Sequence, residues 1–133
     1  MKILVVDDDP DIRDALTVIL ETRDYEIVTA CNGIECLAAL KAEAPDLMII
    51  DLLMPKMDGF AVLRELQDGR WFKYREIPIL ILSSVREEAS RRRYELETAL
   101  EFKVDDYVEK PINPEIMLER VERLLEKRKK PNS

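Results

Sequence analysis

Histidine is absent from this chain, and its absence excludes several chemistries. No Ser-His-Asp or Cys-His nucleophile can be built, no histidine zinc site, and no phosphohistidine on the chain itself. Glycine is scarce, at three residues, so a glycine-rich nucleotide loop is not expected. Cys31 and Cys36 stand five apart and form no CxxC pattern, which argues against a zinc site or a redox pair. Buried, reduced thiols of a cytosolic protein are the expectation. No apolar run approaches a membrane span, and Met1-Lys2 leads straight into a strand and not a signal peptide. A cytoplasmic location without a membrane partner is therefore expected. Positive charge is outweighed, with 21 Lys and Arg against 28 Asp and Glu and a net charge of −7. An acidic domain without a basic stripe is a poor nucleic-acid binder, because phosphate neutralisation carries most of that affinity. The basic run Lys127-Arg128-Lys129-Lys130 is the exception, and it suits the negative end of a helix dipole.

Hydrophobic residues make up 47% of the 133 positions, enough for one globular domain with a core. Short apolar stretches alternate with longer helical patterns. The strands are expected at Ile3 to Val6, Tyr25 to Ala30, Leu47 to Ile50, Ile77 to Leu82 and Asp106 to Glu109. Asp9-Pro10 reads as an N-cap and first helical residue, with Ile12, Leu16, Ile19 and Leu20 facing inward. Asn32-Gly33 turns into a helix burying Ile34, Leu37 and Leu40. Asp58 starts one burying Phe60, Leu63 and Leu66. A charged helix with a weak apolar face is expected from Glu87 to Glu101. The last helix, from about Pro114, is expected to bury Ile116, Met117, Val121, Leu124 and Leu125. Strand-helix alternation of this kind predicts an α/β fold, a parallel sheet with helices on both faces.

In an open parallel sheet, ligands sit beyond the carboxyl ends of the strands. Those ends carry Asp7-Asp8-Asp9, then Asp51, then Ser83-Ser84, then Lys110. Singly, each has a plainer use: a helix cap, a turn residue, a backbone-satisfied hydroxyl, a surface lysine. Together they have a chemical one. Carboxylates held close either raise their pKa values or bind a hard cation, and Mg²⁺ suits oxygen ligands beside phosphate chemistry. Asp51 can then attack phosphorus as a nucleophile, giving an aspartyl phosphate, while Lys110 and Ser83 hold the transferred oxygens.

The stretches KILVVDDDPDIRDAL, DLMIIDLLMPKMDGF, IPILILSS and DDYVEKPI, in order and at compatible spacing, resemble the receiver domain of two-component response regulators, of the chemotaxis-regulator type. The resemblance covers about residues 2 to 126, so a receiver domain is drawn at 1–126, with 127–133 a basic tail or linker stub. It implies a doubly wound, flavodoxin-like, five-stranded sheet of order 2-1-3-4-5. By position it implies Asp51 as phosphoacceptor, Asp8 as direct metal ligand, Asp7 acting through water, and the Leu53 carbonyl completing the protein's share of the Mg²⁺ shell. Ser83 resembles the hydroxyl that moves toward the phosphoryl group, Tyr107 the aromatic switch that follows it, and Lys110-Pro111 a position often cis. The implied partners are a sensor histidine kinase or phosphotransfer protein as donor, and a downstream protein target. With no output domain after the last helix, the expectation is a stand-alone receiver or one cut from a longer chain such as a hybrid kinase.

Three departures stand out. The Ser83–Lys110 segment is longer than the usual pattern, Lys103 occupies a common glycine position, and Leu53 offers an attacking water little polar help. Two other readings compete. A haloacid-dehalogenase-type phosphatase would use the D-x-D in Asp7-Asp8-Asp9, but Asp11 stands where Thr or Val is expected and the chain is short for a cap. A phosphate-independent interaction module of the same fold would usually have lost Asp51 or Lys110.

Overall fold

The computed structural model describes residues 1–84 and 104–129. The charged helix expected over Glu87–Glu101 and Lys103 lie outside the described residues, as does most of the lengthened Ser83–Lys110 segment. The strands are β1 (Lys2–Val6), β2 (Glu26–Ala30), β3 (Leu47–Asp51), β4 (Ile79–Ser84) and β5 (Asp106–Lys110). They form one parallel sheet in the order β2-β1-β3-β4-β5. The described helices are α1 (Pro10–Glu21), α2 (Gly33–Glu43), α3 (Gly59–Glu65), a 3-10 helix (Gly69–Tyr74) and α4 (Pro114–Lys129).

Alternating side chains of each central strand feed two separate cores. Leu4, Val6, Met48, Ile50 and Ile81 pack with Cys36, Leu40, Val62 and Leu63 on the α2–α3 side. Ile3, Val5, Leu47, Ile49, Leu80, Leu82 and Val108 pack with Leu16, Leu20, Met117, Val121 and Leu124 on the α1–α4 side. Burial on both faces explains why β1 and β3 read as unbroken apolar runs. Each fully buried aliphatic side chain contributes about 1.5–3 kcal/mol, so these strands are the rigid frame beneath their polar ends.

The helix starts are set by short polar side chains. Asp9 Oδ1 accepts from the Asp11 N–H at 2.9 Å, Asn32 Oδ1 from Glu35 at 2.9 Å, and Asp58 Oδ1 from Ala61 at 2.8 Å. The Glu35 carboxylate reaches back to the Cys31 N–H at 3.2 Å, one residue before the Asn32 cap.

Several expectations need correction. Ile34 is 60% exposed, because the buried stripe of α2 runs through Gly33, Cys36 and Leu40 instead. Ile116 is also exposed, one residue off the stripe of Met117, Val121, Leu124 and Leu125. β4 begins at Ile79 and not Ile77: the Ile77 N–H closes a turn onto the Tyr74 carbonyl at 3.2 Å, and Pro78 has no N–H to give the ladder. Cys36 is buried, its thiol pushed up to about 12 by that burial, but Cys31 is only half-buried and donates to Glu35 at 2.9 Å. The last helix continues through Lys129, past the boundary drawn at 126, and Arg128 donates to the Asp46 carbonyl at 2.6 Å. Residues 130–133 lie outside the description. No helix among the described residues is long and apolar enough to cross a membrane.

Candidate functional site

The polar residues expected at the strand ends converge because their strands are neighbours. Asp7 follows β1, Asp51 ends β3, Ser83 lies near the end of β4, and Lys110 ends β5. The register sets Asp51 beside Leu82 and Ser84 beside Lys110. One oxygen each from Asp7, Asp8 and Asp51 lies within 4.8 Å of the others. The Lys110 ammonium bridges two of them, at 3.0 Å from Asp7 Oδ2 and 3.1 Å from Asp51 Oδ2.

Asp7 is fully buried and Asp51 is 8% exposed, so both carboxylates are largely cut off from water. Burial is the largest influence on Asp51 and, with the Asp7 charge, lifts its pKa to about 6 against the pull of Lys110 and the Leu53 N–H. Burial raises Asp7 as well, although the Asp9 N–H and Lys110 oppose it. Burial by itself would lower Lys110, but the Asp51 and Asp7 carboxylates outweigh it and hold the ammonium above its ordinary value. Asp8 is exposed at the rim. The cluster thus has more negative charge than its one lysine can balance.

The donor set fits a hard divalent cation. It is all oxygen, it converges, and Asp7 Oδ2 is a buried acceptor with no directed hydrogen bond, only the ammonium beside it. Asp7, Asp8 and Asp51 would hold such an ion. The Ser83 residue is 1% exposed, and among the described residues its Oγ has no hydrogen-bond partner. An orphaned buried hydroxyl is costly unless a ligand oxygen completes it.

The loop that follows Asp51 is fixed by close backbone contact. The Gly59 N–H donates to the Leu52 carbonyl at 2.9 Å. A Cβ at Gly59 would stand 2.6 Å from the Asp51 carbonyl oxygen and 2.7 Å from Leu52 Cα, so only glycine lets α3 start this near Asp51. The Leu53 N–H returns to Asp51 Oδ1 at 3.1 Å. Lys56, at the loop's tip, takes a left-handed φ of 67°. At the other edge, the Lys110–Pro111 peptide is cis. Tyr107 is 44% exposed on β5. Val108 points into the α1–α4 core, so Tyr107 stands on the opposite face of the sheet, the face of its register partner Ile81 and of Ser83.

Two features escaped the sequence reading. Arg13 reaches back from α1 to the Asp7 carbonyl at 2.7 Å, a contact six residues apart that no periodicity signals. The 3-10 helix buries Trp71 and Tyr74, with Trp71 Nε1 donating to Glu65 at 3.0 Å. The aromatic run beside Asp68-Gly69 was the available signal.

The response regulator receiver domain family model matches residues 3–122. Among curated relatives, a probable transcriptional regulator ycf27 of Cyanophora paradoxa is 40% identical over 130 residues, covering 98% of this chain and 50% of that protein. The alkaline phosphatase synthesis transcriptional regulatory protein PhoP of Bacillus subtilis is 36% identical over 124 residues, covering 93% of this chain and 48% of that protein. The chain therefore spans about half the length of the curated relatives it matches. Among solved structures, the signal receiver domain of a signal transduction histidine kinase from Syntrophus aciditrophicus superposes with a TM-score of 0.83 at 33% identity, covering 99% of this chain and 95% of that one. The chemotaxis protein CheY4 of Vibrio cholerae gives 0.79 at 29%, covering 92% and 97%. Sheet order, strand-end chemistry and sequence thus agree, and the chain belongs to the response regulator receiver domain family of two-component signalling.

Proposed function

We propose that this domain is a switch that accepts one phosphoryl group on Asp51, with Mg²⁺ required, and signals through contact with a downstream protein. The observation that carries the reading is the buried Asp51 carboxylate at the end of the central strand, flanked by Asp7, Asp8 and Lys110. A buried carboxylate whose pKa is lifted to about 6 is a more basic, activated nucleophile once its surroundings neutralise the incoming charge. Mg²⁺ held by Asp7, Asp8 and Asp51 would supply that neutralisation, screening an incoming phosphoryl group from the carboxylates.

The chain's own groups do the rest. An Asp51 oxygen attacks phosphorus while the bond to the donor's nitrogen or oxygen breaks, and the leaving group departs with the electron pair. The Lys110 ammonium already touches Asp51 Oδ2 and can hold a transferred oxygen. The unpartnered Ser83 hydroxyl donates to another. Its movement opens room on the face that Tyr107 shares, and the exposed ring turns inward, carrying the signal to the β5 edge. With no histidine in these 133 residues, the donor lies outside them: a sensor histidine kinase, a phosphotransfer protein or a small phosphodonor. The domain 1–126 with the continuing α4, and a cytoplasmic setting, complete the proposal. The phosphatase alternative is disfavoured by the sequence, because Asp11 stands where Thr or Val is expected two residues after the D-x-D of Asp7-Asp8-Asp9.

Incubation with radiolabelled acetyl phosphate, with and without divalent ion, tests the reading. Label that appears only with Mg²⁺ and is released by hydroxylamine, as an acyl phosphate must be, supports it. Label resistant to hydroxylamine, or continuous release of phosphate at many turnovers per second, contradicts it.

A further inference from the structure

We infer that Arg13 is a positioning residue for the metal site, acting through the peptide that joins Asp7 to Asp8. The inference rests on the Mg²⁺ reading above. Asp7 is held at every polar atom: its N–H donates to the Ala30 carbonyl at 3.1 Å, Oδ1 accepts from the Asp9 N–H at 2.9 Å, and Oδ2 faces Lys110 at 3.0 Å. Its carbonyl accepts from Arg13 Nη1 at 2.7 Å. Arg13 also donates its own N–H to the Asp9 carbonyl at 3.1 Å, so this one residue ties down both ends of the Asp7–Asp9 turn.

Asp8 is where this matters. Its carboxylate is exposed and, among the described residues, has no hydrogen-bond or ion-pair partner. Only its backbone aims it at the cluster. The carbonyl of the preceding residue defines the plane of the peptide that leads into Asp8, and Arg13 fixes that carbonyl. Without the guanidinium that carbonyl loses its side-chain anchor, the peptide is held only through the neighbouring Asp7 and Asp9 contacts, and the exposed carboxylate can shift with it.

The sign of the effect separates positioning from plain electrostatics. Arg13 is a cation whose guanidinium lies against the Asp7 backbone carbonyl, so by charge alone it opposes a nearby divalent ion and its removal should leave Mg²⁺ binding unchanged or tighter. If it positions Asp8, removal weakens binding instead, by about tenfold or more, as for other groups that orient metal ligands from outside the coordination shell.

Calorimetric titration of the full chain with MgCl₂ at fixed ionic strength, for wild type, Arg13→Met and Arg13→Lys, decides this. Circular dichroism in EDTA confirms that each variant is folded. The expected result is a dissociation constant raised about tenfold or more in Arg13→Met. Arg13→Lys, which keeps the charge but loses the planar fork, should fall between that variant and wild type. Binding in Arg13→Met that matches or exceeds wild type overturns the inference. Should that variant not fold, Arg13→Lys decides, and affinity equal to wild type overturns the inference. A wild-type protein that takes up no Mg²⁺ removes the reading beneath it, a distinct failure visible before any variant is made.

Discussion

Replacing Asp51 by asparagine should make the metal-free protein more stable. Burial and the neighbouring Asp7 lift the folded-state pKa of Asp51 from its ordinary 3.8 to about 6. At pH 7.5 the carboxyl is ionised in both folded and unfolded chains, and the folded chain bears the full cost of holding it there. The gap between the two values corresponds to about 3 kcal/mol. Below about pH 4 both states keep the proton and the cost disappears. The stability contributed by the protonated form is therefore present in acid and lost as the pH rises through about 6. Asparagine removes the charge at nearly constant volume and can still accept from the Leu53 N–H, while Lys110 keeps Asp7 at 3.0 Å. Thermal melts in metal-free buffer should show Asp51→Asn melting higher at pH 7.5, by roughly 10 °C for a gain of about 3 kcal/mol in a domain of this size. The advantage should shrink toward zero near pH 4. An asparagine variant that melts at or below wild type at pH 7.5 would refute the claim that the site is strained by its own charge.

Mg²⁺ should cancel most of that advantage, because an ion that binds only the folded chain stabilises it by about 2.7 kcal/mol at a hundredfold excess over its dissociation constant; melts with and without MgCl₂ should show the gain in wild type and its loss in Asp8→Ala. Asp9→Ala removes the α1 cap, seen as the 2.9 Å contact to Asp11, and should cost about 1 kcal/mol in urea melts while leaving Mg²⁺ affinity near wild type. The reverse pattern for Asp8 and Asp9 would mean the ligand assignment is off by one residue. Gly59→Ala places a methyl 2.6 Å from the Asp51 carbonyl oxygen, and should destabilise by about 2 kcal/mol or more, since backbone and not a flexible side chain must move; a neutral result by denaturant titration would disprove the tight fit of the acceptor loop.

Most of the fold was legible in the sequence because strong local signals agreed with the tertiary ones. Runs such as Ile3–Val6 and Leu47–Ile50 are buried on both faces, so their apolar content is unbroken, and Asp9, Asn32 and Asp58 mark helix starts by a chemistry that depends on near neighbours. The convergence was legible for a topological reason: parallel strands deliver their carboxyl ends to one edge, so Asp7, Asp51 and Lys110 had to meet. Where packing chose between adjacent candidates, the sequence could not. Ile34 and Ile116 look as apolar as their neighbours, yet the α2 stripe follows Gly33, whose missing side chain lets it stand against the Met57 carbonyl. The extra helical residues to Lys129 accompany Arg128 donating to the carbonyls of Pro45 and Asp46, more than eighty residues away. The Arg13 contact is similarly invisible, because a guanidinium reaching a backbone carbonyl six positions earlier obeys no repeat.

The central claim is that Asp51 itself receives the phosphoryl group. Borohydride reduction of the acyl phosphate, followed by peptide mass spectrometry, reads the acceptor directly. Wild type treated with acetyl phosphate and Mg²⁺ should yield one reduced residue, at position 51, and none when EDTA replaces the metal. Reduction at Asp7, Asp8 or Asp9, or equal phosphoryl uptake by Asp51→Asn, would contradict the account.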